Sequence, residues 1–261
     1  MRRGGQARKP ARKPVGKQAS CLVLRSGAVA VFSLTRTRSR FSFLPRMNEL
    51  VITGGKGGLG RAVAAAFAGT QWRVSAPGRT ELDVTAAASI GSFFDRRKVD
   101  LLVCAAGITG EAPLAKLGET LWDQVLAVNF AGAATCAAAV VPGMVARGHG
   151  HLVFISSFVA VQPPPGLAAY ATAKAALLGL TRDLAGRYGR QGIRVNAVLP
   201  GFLETPMTQR VAPKRRDEVL AEHALGAFNT PAAVAGFIHF LHHGLPHTSG
   251  QSFQLDSRMG G

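Results

Sequence analysis

The chain has 261 residues, 47% hydrophobic and 17% charged, a composition that suits one domain with a substantial core. No uninterrupted apolar run reaches the roughly 18 to 20 residues of a membrane span, and three cysteines (Cys21, Cys104, Cys136) are too few and too scattered for a disulfide framework or a metal site. The formal charge of +17 has the size of a nucleic-acid binder's, but 12 of the 31 Lys and Arg lie in residues 1–46 with no Asp or Glu, whereas residues 47–261 hold the other 19 and all 14 acidic residues.

Residues 1–46 therefore read as a basic leader. Three readings of it stay open: an Arg-rich, acid-free targeting peptide, a disordered arm that touches polyanions, or an upstream start, since Met47 stands directly before "NELVITGG". The expected location is the cytoplasm, with organelle import if the leader is a transit peptide.

From 47 onward short β-rich runs alternate with longer helical ones. "ELVITG" (49–54) reads as a strand, "GLGRAVAAAFAGT" as a helix, "WRVSA" as a second strand and "AAASIGSFFDRR" as a helix. "VDLLVCAAG" (99–107) is a buried strand, and the long helix after it is expected to kink late at Pro142-Gly143. "GHLVFISS", "IRVNAVLPG" and "GQSFQLD" read as strands, separated by helices at "LAAYATAKAALLGLTRDLAGRYG" and "TPAAVAGFIHFLHH". Apolar strands alternating with helices predict a single-domain α/β fold over 47–261, a Rossmann-like doubly wound parallel sheet. About seven strands are expected if "TELDV" is counted. It follows "WRVSA" too closely for a normal parallel crossover, so the second crossover is shortened.

Three places carry chemistry. "TGGKGGLG", Thr53 to Gly60, follows the first strand and opens the first helix, where glycines let a backbone approach a pyrophosphate and the helix terminus supplies N–H groups. At the end of the second strand Arg79 stands in "SAPGRT", and Lys56 lies in the glycine loop. Two cations without an acid suit a 2′-phosphate and favour NADP(H) over NAD(H), unless Arg79 is a solvated surface residue.

The third place is "LAAYATAKAALLG", in which Tyr170 and Lys174 share a helix face at i, i+4. A neighbouring ammonium favours the phenolate and makes the pair a general acid/base, although the same spacing also fits an ordinary helix face. Ser157, 13 residues upstream, ends a strand at the ligand crevice of such a sheet, and Asn129 is a polar residue inside an apolar helix. "VLPGFLETPMT" turns the chain over the same crevice at Pro200-Gly201.

Together these residues resemble the short-chain dehydrogenase/reductase family in its classical form, in order along all of 47–261. "CAAGIT", "IRVNAVLPGFLETPMT" and "SGQSFQLDSRMG" are most similar to the 3-oxoacyl-[acyl-carrier-protein] reductases. The resemblance implies that Tyr170 donates the proton in reduction, that Lys174 binds the nicotinamide ribose and lowers the tyrosine pKa, that Ser157 positions the carbonyl, and that Asn129 holds a relay water. It further implies a cofactor cradle of Thr53, Gly54, Lys56, Gly58, Leu59 and Gly60, with Asp83 and Val84 flanking the adenine, Ala106 and Gly107 lining the cofactor, and Thr205 on the carboxamide beyond Pro200 and Gly201. The family's Asn-Asn-Ala-Gly is Cys104 to Gly107 here, without either asparagine, and "VQPPPG" stiffens the substrate mouth.

The expected reaction is reduction of a ketone to a secondary alcohol, on a 3-oxoacyl thioester or on a small ketone, sugar or polyol. Acyl carrier protein is a candidate partner, with Arg147, Arg187, Arg190, Arg194 and "KRR" at 214–216 as candidate basic residues beside the mouth, the last also readable as a solvated run on the mobile loop after Pro200-Gly201. A homotetramer is expected, and no metal. A non-catalytic dinucleotide scaffold and a nucleic-acid binder acting through the leader are the readings from other classes.

Overall fold

The structure, a computed structural model, describes residues 47–258. The basic leader, and Cys21 within it, lie outside them. Six parallel strands form one sheet: β1 (Asn48–Thr53), β2 (Trp72–Ser75), β3 (Leu101–Cys104), β4 (Gly150–Ile155), β5 (Ile193–Pro200) and β6 (Ser252–Leu255), in spatial order β2-β1-β3-β4-β5-β6. The helices are α1 (Gly58–Phe67), α2 (Ala87–Phe94), α3 (Glu119–Leu126), α4 (Gly132–Arg147), α5 (Ala168–Tyr188), α6 (Pro213–Ala221) and α7 (Pro231–Gly244).

Both faces of the sheet are covered, and the strands show it by alternation. Leu50, Ile52, Leu101 and Val103 point to the side of Val63 and Phe67 of α1 and Val234 and Ile238 of α7. Val51, Leu102 and Cys104 point to the other side, where Ile90 of α2, Cys136 and Val140 of α4 and Leu177 of α5 meet them. Truncating a buried residue such as Ile52 or Leu102 to alanine would cost about 2–5 kcal/mol. The first strand feeds a helix on one face and its neighbour β3 feeds helices on the other, so the chain opens a crevice at their carboxyl ends.

The seventh strand does not form. Over "TELDV" the backbone donors go elsewhere: Glu81 and Leu82 N–H donate to the Gly78 carbonyl, Asp83 N–H to Ser89 Oγ, and Thr85 N–H to the Asp83 carboxylate. These local side-chain bonds compete with a strand ladder and leave β2 as the sheet edge.

The long helical span carries an irregularity that the sequence reading did not expect. α4 runs through Pro142, and the departure from α geometry is a π-helical turn at Ala127–Ala131, between α3 and α4. The span Glu119–Arg147 is long and apolar enough to cross a bilayer, but Cys136, Ala137, Val140 and Met144 are buried against the sheet. "KRR" lies on α6 rather than on a loop.

Candidate active site

The turn after β1 requires glycine for contact reasons. Gly54 has φ +66°, and a Cβ there would stand 2.7 Å from Ala106 Cα; one on Gly60 would stand 2.5 Å from the Gly54 carbonyl oxygen. The loop is thus folded tightly onto itself and onto the end of β3. Thr53 closes the same junction, its Oγ1 accepting from Ala106 N–H at 3.2 Å. Gly57 leads into α1 with no side-chain cap, which leaves first-turn N–H groups for an anion. Backbone walls and a free helix terminus fit a dinucleotide pyrophosphate.

At the end of β2 the sequence reading missed an acid. Glu81 accepts Gly78 N–H at 2.8 Å and lies 3.8 Å from Lys56 Nζ, so Lys56 is not an unopposed cation. Arg79 pairs with Asp83 at 3.4 Å on the surface. The Asp83 carboxyl is held below the ordinary carboxylate range, chiefly by hydrogen bonds from Thr85. Val84 is buried against Gly132, so its side chain belongs to the core.

The Ser-Tyr-Lys-Asn set converges. β4 delivers Ser157 just past its carboxyl end, and a 3₁₀ turn at Phe158–Ala160 fixes it, with Val159 N–H donating to Ser157 Oγ at 3.2 Å. The first turn of α5 carries Tyr170, which lines the same cleft as Ser157. One turn later, buried Lys174 donates from Nζ to the Ile155 carbonyl at 2.8 Å and lies over the Tyr170 ring, 5.6 Å from its centroid. Ser156 Oγ donates to the Lys174 carbonyl at 2.8 Å and pins α5 to β4.

Asn129 sits on the π turn. Its Nδ2 donates to the Ile108 and Val125 carbonyls, at 2.8 and 2.9 Å. Its Oδ1 is buried without a protein partner, beside Gly107: a Cβ on that glycine would stand 2.7 Å from Oδ1 and 3.6 Å from Lys174 Nζ. An acceptor buried and unspent next to the lysine fits a bound water or a ligand hydroxyl.

The pKa directions correct one expectation. Burial pushes the Tyr170 phenol up to about 12, opposed only by the neighbouring Ser157 side chain, and burial pushes Lys174 down to about 8. Lys174 is not among the groups that shift the Tyr170 phenol; its ammonium donates to the Ile155 carbonyl and lies over the ring.

A cleft of about 600 Å³ joins these parts. Gly54, Gly58, Leu59, Gly60, Gly107, Ser157, Tyr170, Lys174, Pro200, Gly201 and Thr205 line it, with Pro164 and Pro165 of the stiff loop at the mouth. Thr205 packs on Gly58, which ties the segment after β5 to the glycine turn. Thr53, Ala106 and Asn129 stand behind the wall, and Lys56, Arg79, Asp83 and Val84 are outside it. Arg215, of the "KRR" run, also lines it, as does Arg258, which sequence reasoning did not find. Arg147 and Arg194 are not beside the mouth. Arg147 donates to the Val99 carbonyl before β3, and Arg194, at the start of β5, to carbonyls of α7, both at the opposite end of the sheet.

A parallel doubly wound sheet with a glycine turn after β1 and a Ser-Tyr-Lys set at its carboxyl edge defines a dinucleotide-binding protein of one particular kind. The family model described as enoyl-(acyl carrier protein) reductase matches residues 59–257, and the chain belongs to the short-chain dehydrogenase/reductase family. It is similar to 3-oxoacyl-[acyl-carrier-protein] reductase FabG of Thermotoga maritima, 42% identical over 144 residues (55% of this chain, 58% of that protein). FabG of Escherichia coli is 31% identical over 214 residues, covering 73% of this chain and 88% of that protein. The chain spans between half and two thirds of several relatives it matches, 56% for the rat (3R)-3-hydroxyacyl-CoA dehydrogenase. Among solved structures, a protein from Beutenbergia cavernae described as an NAD(P) dependent gluconate 5-dehydrogenase with bound NADP superposes with TM-score 0.73 at 29% identity, over 80% of this chain and 95% of that one.

Proposed function

We propose that the chain is an NADP(H)-dependent oxidoreductase that reduces a ketone to a secondary alcohol, with a 3-oxoacyl thioester as substrate. The observation that carries this reading is that Ser157, Tyr170 and Lys174 line one cleft together with the glycine turn after β1.

The glycine turn and the α1 terminus would hold the pyrophosphate, and Lys174 and Asn129 would face the nicotinamide ribose. Bound there, the nicotinamide supplies the hydride. The residues of the chain do the rest. Ser157 and Tyr170 hydrogen-bond the carbonyl oxygen, and the tyrosine gives up its proton as the oxygen gains the C=O electron pair. A phenol near 12 is fully protonated at neutral pH, which suits a donor in the reductive direction. Lys174 would return a proton to Tyr170 through a water held on the unspent Asn129 Oδ1.

Val159, Met207, Val211 and Val219 give the substrate end an apolar lining, which favours an acyl chain over a polyol. Lys56 and Arg79 favour NADP(H), with Glu81 as the counterweight. The test is NADPH and NADH oxidation by the purified chain over acetoacetyl thioesters, small ketones and keto-sugars. Turnover on the thioesters at higher kcat/KM than on the sugars supports the reading. Preference for the sugars would replace it with the gluconate-type alternative that the Beutenbergia relative represents.

A further inference from the structure

The last described residue, Arg258, reaches back into the catalytic cleft. Its guanidinium lies 3.6 Å from the centroid of the Phe158 ring, and Phe158 directly follows Ser157. The same guanidinium holds Asp256 through two nitrogens, at 2.6 and 3.0 Å, and stands 3.6 Å from Glu222, directly after α6. The Asp256 carboxylate is wholly buried and Arg258 is 10% exposed, so this is an interior ion pair, whereas Glu222 is half in solvent. The guanidinium and the Arg258 backbone N–H both donate to Asp256 and hold its carboxyl below the ordinary range, and the guanidinium fork is rigid and planar. Its position is therefore fixed by Asp256, and the ring of Phe158 and the end of α6 are located against it.

His223 strengthens the α6 side. It is buried at the end of that segment, its Nδ1 3.1 Å from Ser257 Oγ and 3.4 Å from Asp256 Oδ1, and its backbone bridges Arg258. Asp256 also packs on Gly201, where the chain leaves β5. One buried carboxylate–guanidinium pair thus touches the segment after β5, the segment after α6, and the turn that carries Ser157.

We propose that Arg258 is a positioning residue that couples the α6 wall of the cleft to the Ser157–Phe158 turn, so that the substrate wall and the carbonyl-binding hydroxyl are set together. The kinetic part rests on the reductase reading above; the coupling itself does not.

Arg258→Lys keeps a positive charge for Asp256 but cannot donate to its Oδ2 from two nitrogens, cover the Phe158 ring and reach Glu222 at once. In that variant, hydrogen exchange should rise about tenfold at the amides of Val159, Ala160 and Val161 and together with it in α6. Ketone kcat should fall about tenfold with the NADPH Kd within about twofold of wild type. Glu222→Gln, which leaves the Asp256 pair intact, should raise exchange in α6 and, more weakly, at residues 159–161. Exchange changes confined to residues 256–258 in the first variant, or to α6 in the second, would overturn the coupling. A lowered melting temperature with unchanged kcat would show a purely structural role. If the wild-type chain reduces no ketone, the reductase reading fails, and the exchange measurements still decide this one.

Discussion

The Lys174 ammonium stands over the face of the Tyr170 ring, 5.6 Å from its centroid, and is bonded to the Ile155 carbonyl. Burial therefore acts on each partner almost unopposed, raising the phenol to about 12 and lowering the ammonium to about 8. Between pH 6 and 10 the tyrosine keeps its proton, and the group that titrates is the lysine, charged below about 8 and neutral above it. Reductive kcat/KM should be flat at low pH and fall as pH rises through about 8. NADPH-oxidation rates from pH 6 to 10 check this, and a profile flat to pH 10 would contradict it.

Glycine turns make a second, independent prediction. A methyl on Gly60 would enter the space of the Gly54 carbonyl and the Gly55 Cα. Gly60→Ala should weaken NADPH binding at least about tenfold while leaving the sheet folded, because the clash is confined to the loop. Fluorescence titration with NADPH, with circular dichroism beside it, reads both.

The tyrosine, lysine and serine were legible in the sequence because each is fixed by local geometry: Ser157 ends an apolar strand, and Tyr170 and Lys174 lie one helical turn apart. Both faces of the sheet were legible for the same reason, since fully apolar strands such as "LLVC" need cover on both sides. Glu81 was not, because its meeting with Lys56 depends on a turn built from side-chain bonds. The same bonds dissolved the expected seventh strand. Arg258 was hidden for another reason, since it touches Phe158 and Glu222 from far along the chain and no periodicity records that. α6 was missed because "PKRRDEVLA" buries only Val219 and has no apolar stripe.

Cofactor preference turns on the balance at the end of β2. Glu81 lies 3.8 Å from Lys56 Nζ and competes with any phosphate for that cation. Glu81→Gln should lower KM for NADPH about threefold, and Lys56→Ala should raise it about tenfold, with KM for NADH little changed in either. Steady-state kinetics with both nucleotides decide this; parallel changes for NADH and NADPH would remove the 2′-phosphate from the account.

Acid sensitivity should come from the far end of the sheet. Buried His151 lies 3.1 Å from His242, Nδ1 to Nδ1, and accepts from Asn196 on Nε2. His242 also faces Arg194, His239 and His243. Burial, and after it the Arg194 guanidinium, hold His242 down to about 3 and His151 well below the ordinary value. Each binds fewer protons folded than unfolded below pH 6.5, so stability falls as pH drops from about 6.5 toward 3. Urea midpoints at pH 7, 5.5 and 4.5 should decline less steeply in His242→Leu than in the wild-type chain.

The central claim is that the Tyr170 hydroxyl is the proton donor. Replacing it by phenylalanine keeps the ring that packs over Lys174 and removes only the oxygen. Tyr170→Phe should bind NADPH within about twofold of wild type and lose about a thousandfold or more in kcat on the best ketone substrate. Turnover near the wild-type rate with NADPH binding intact would contradict the account.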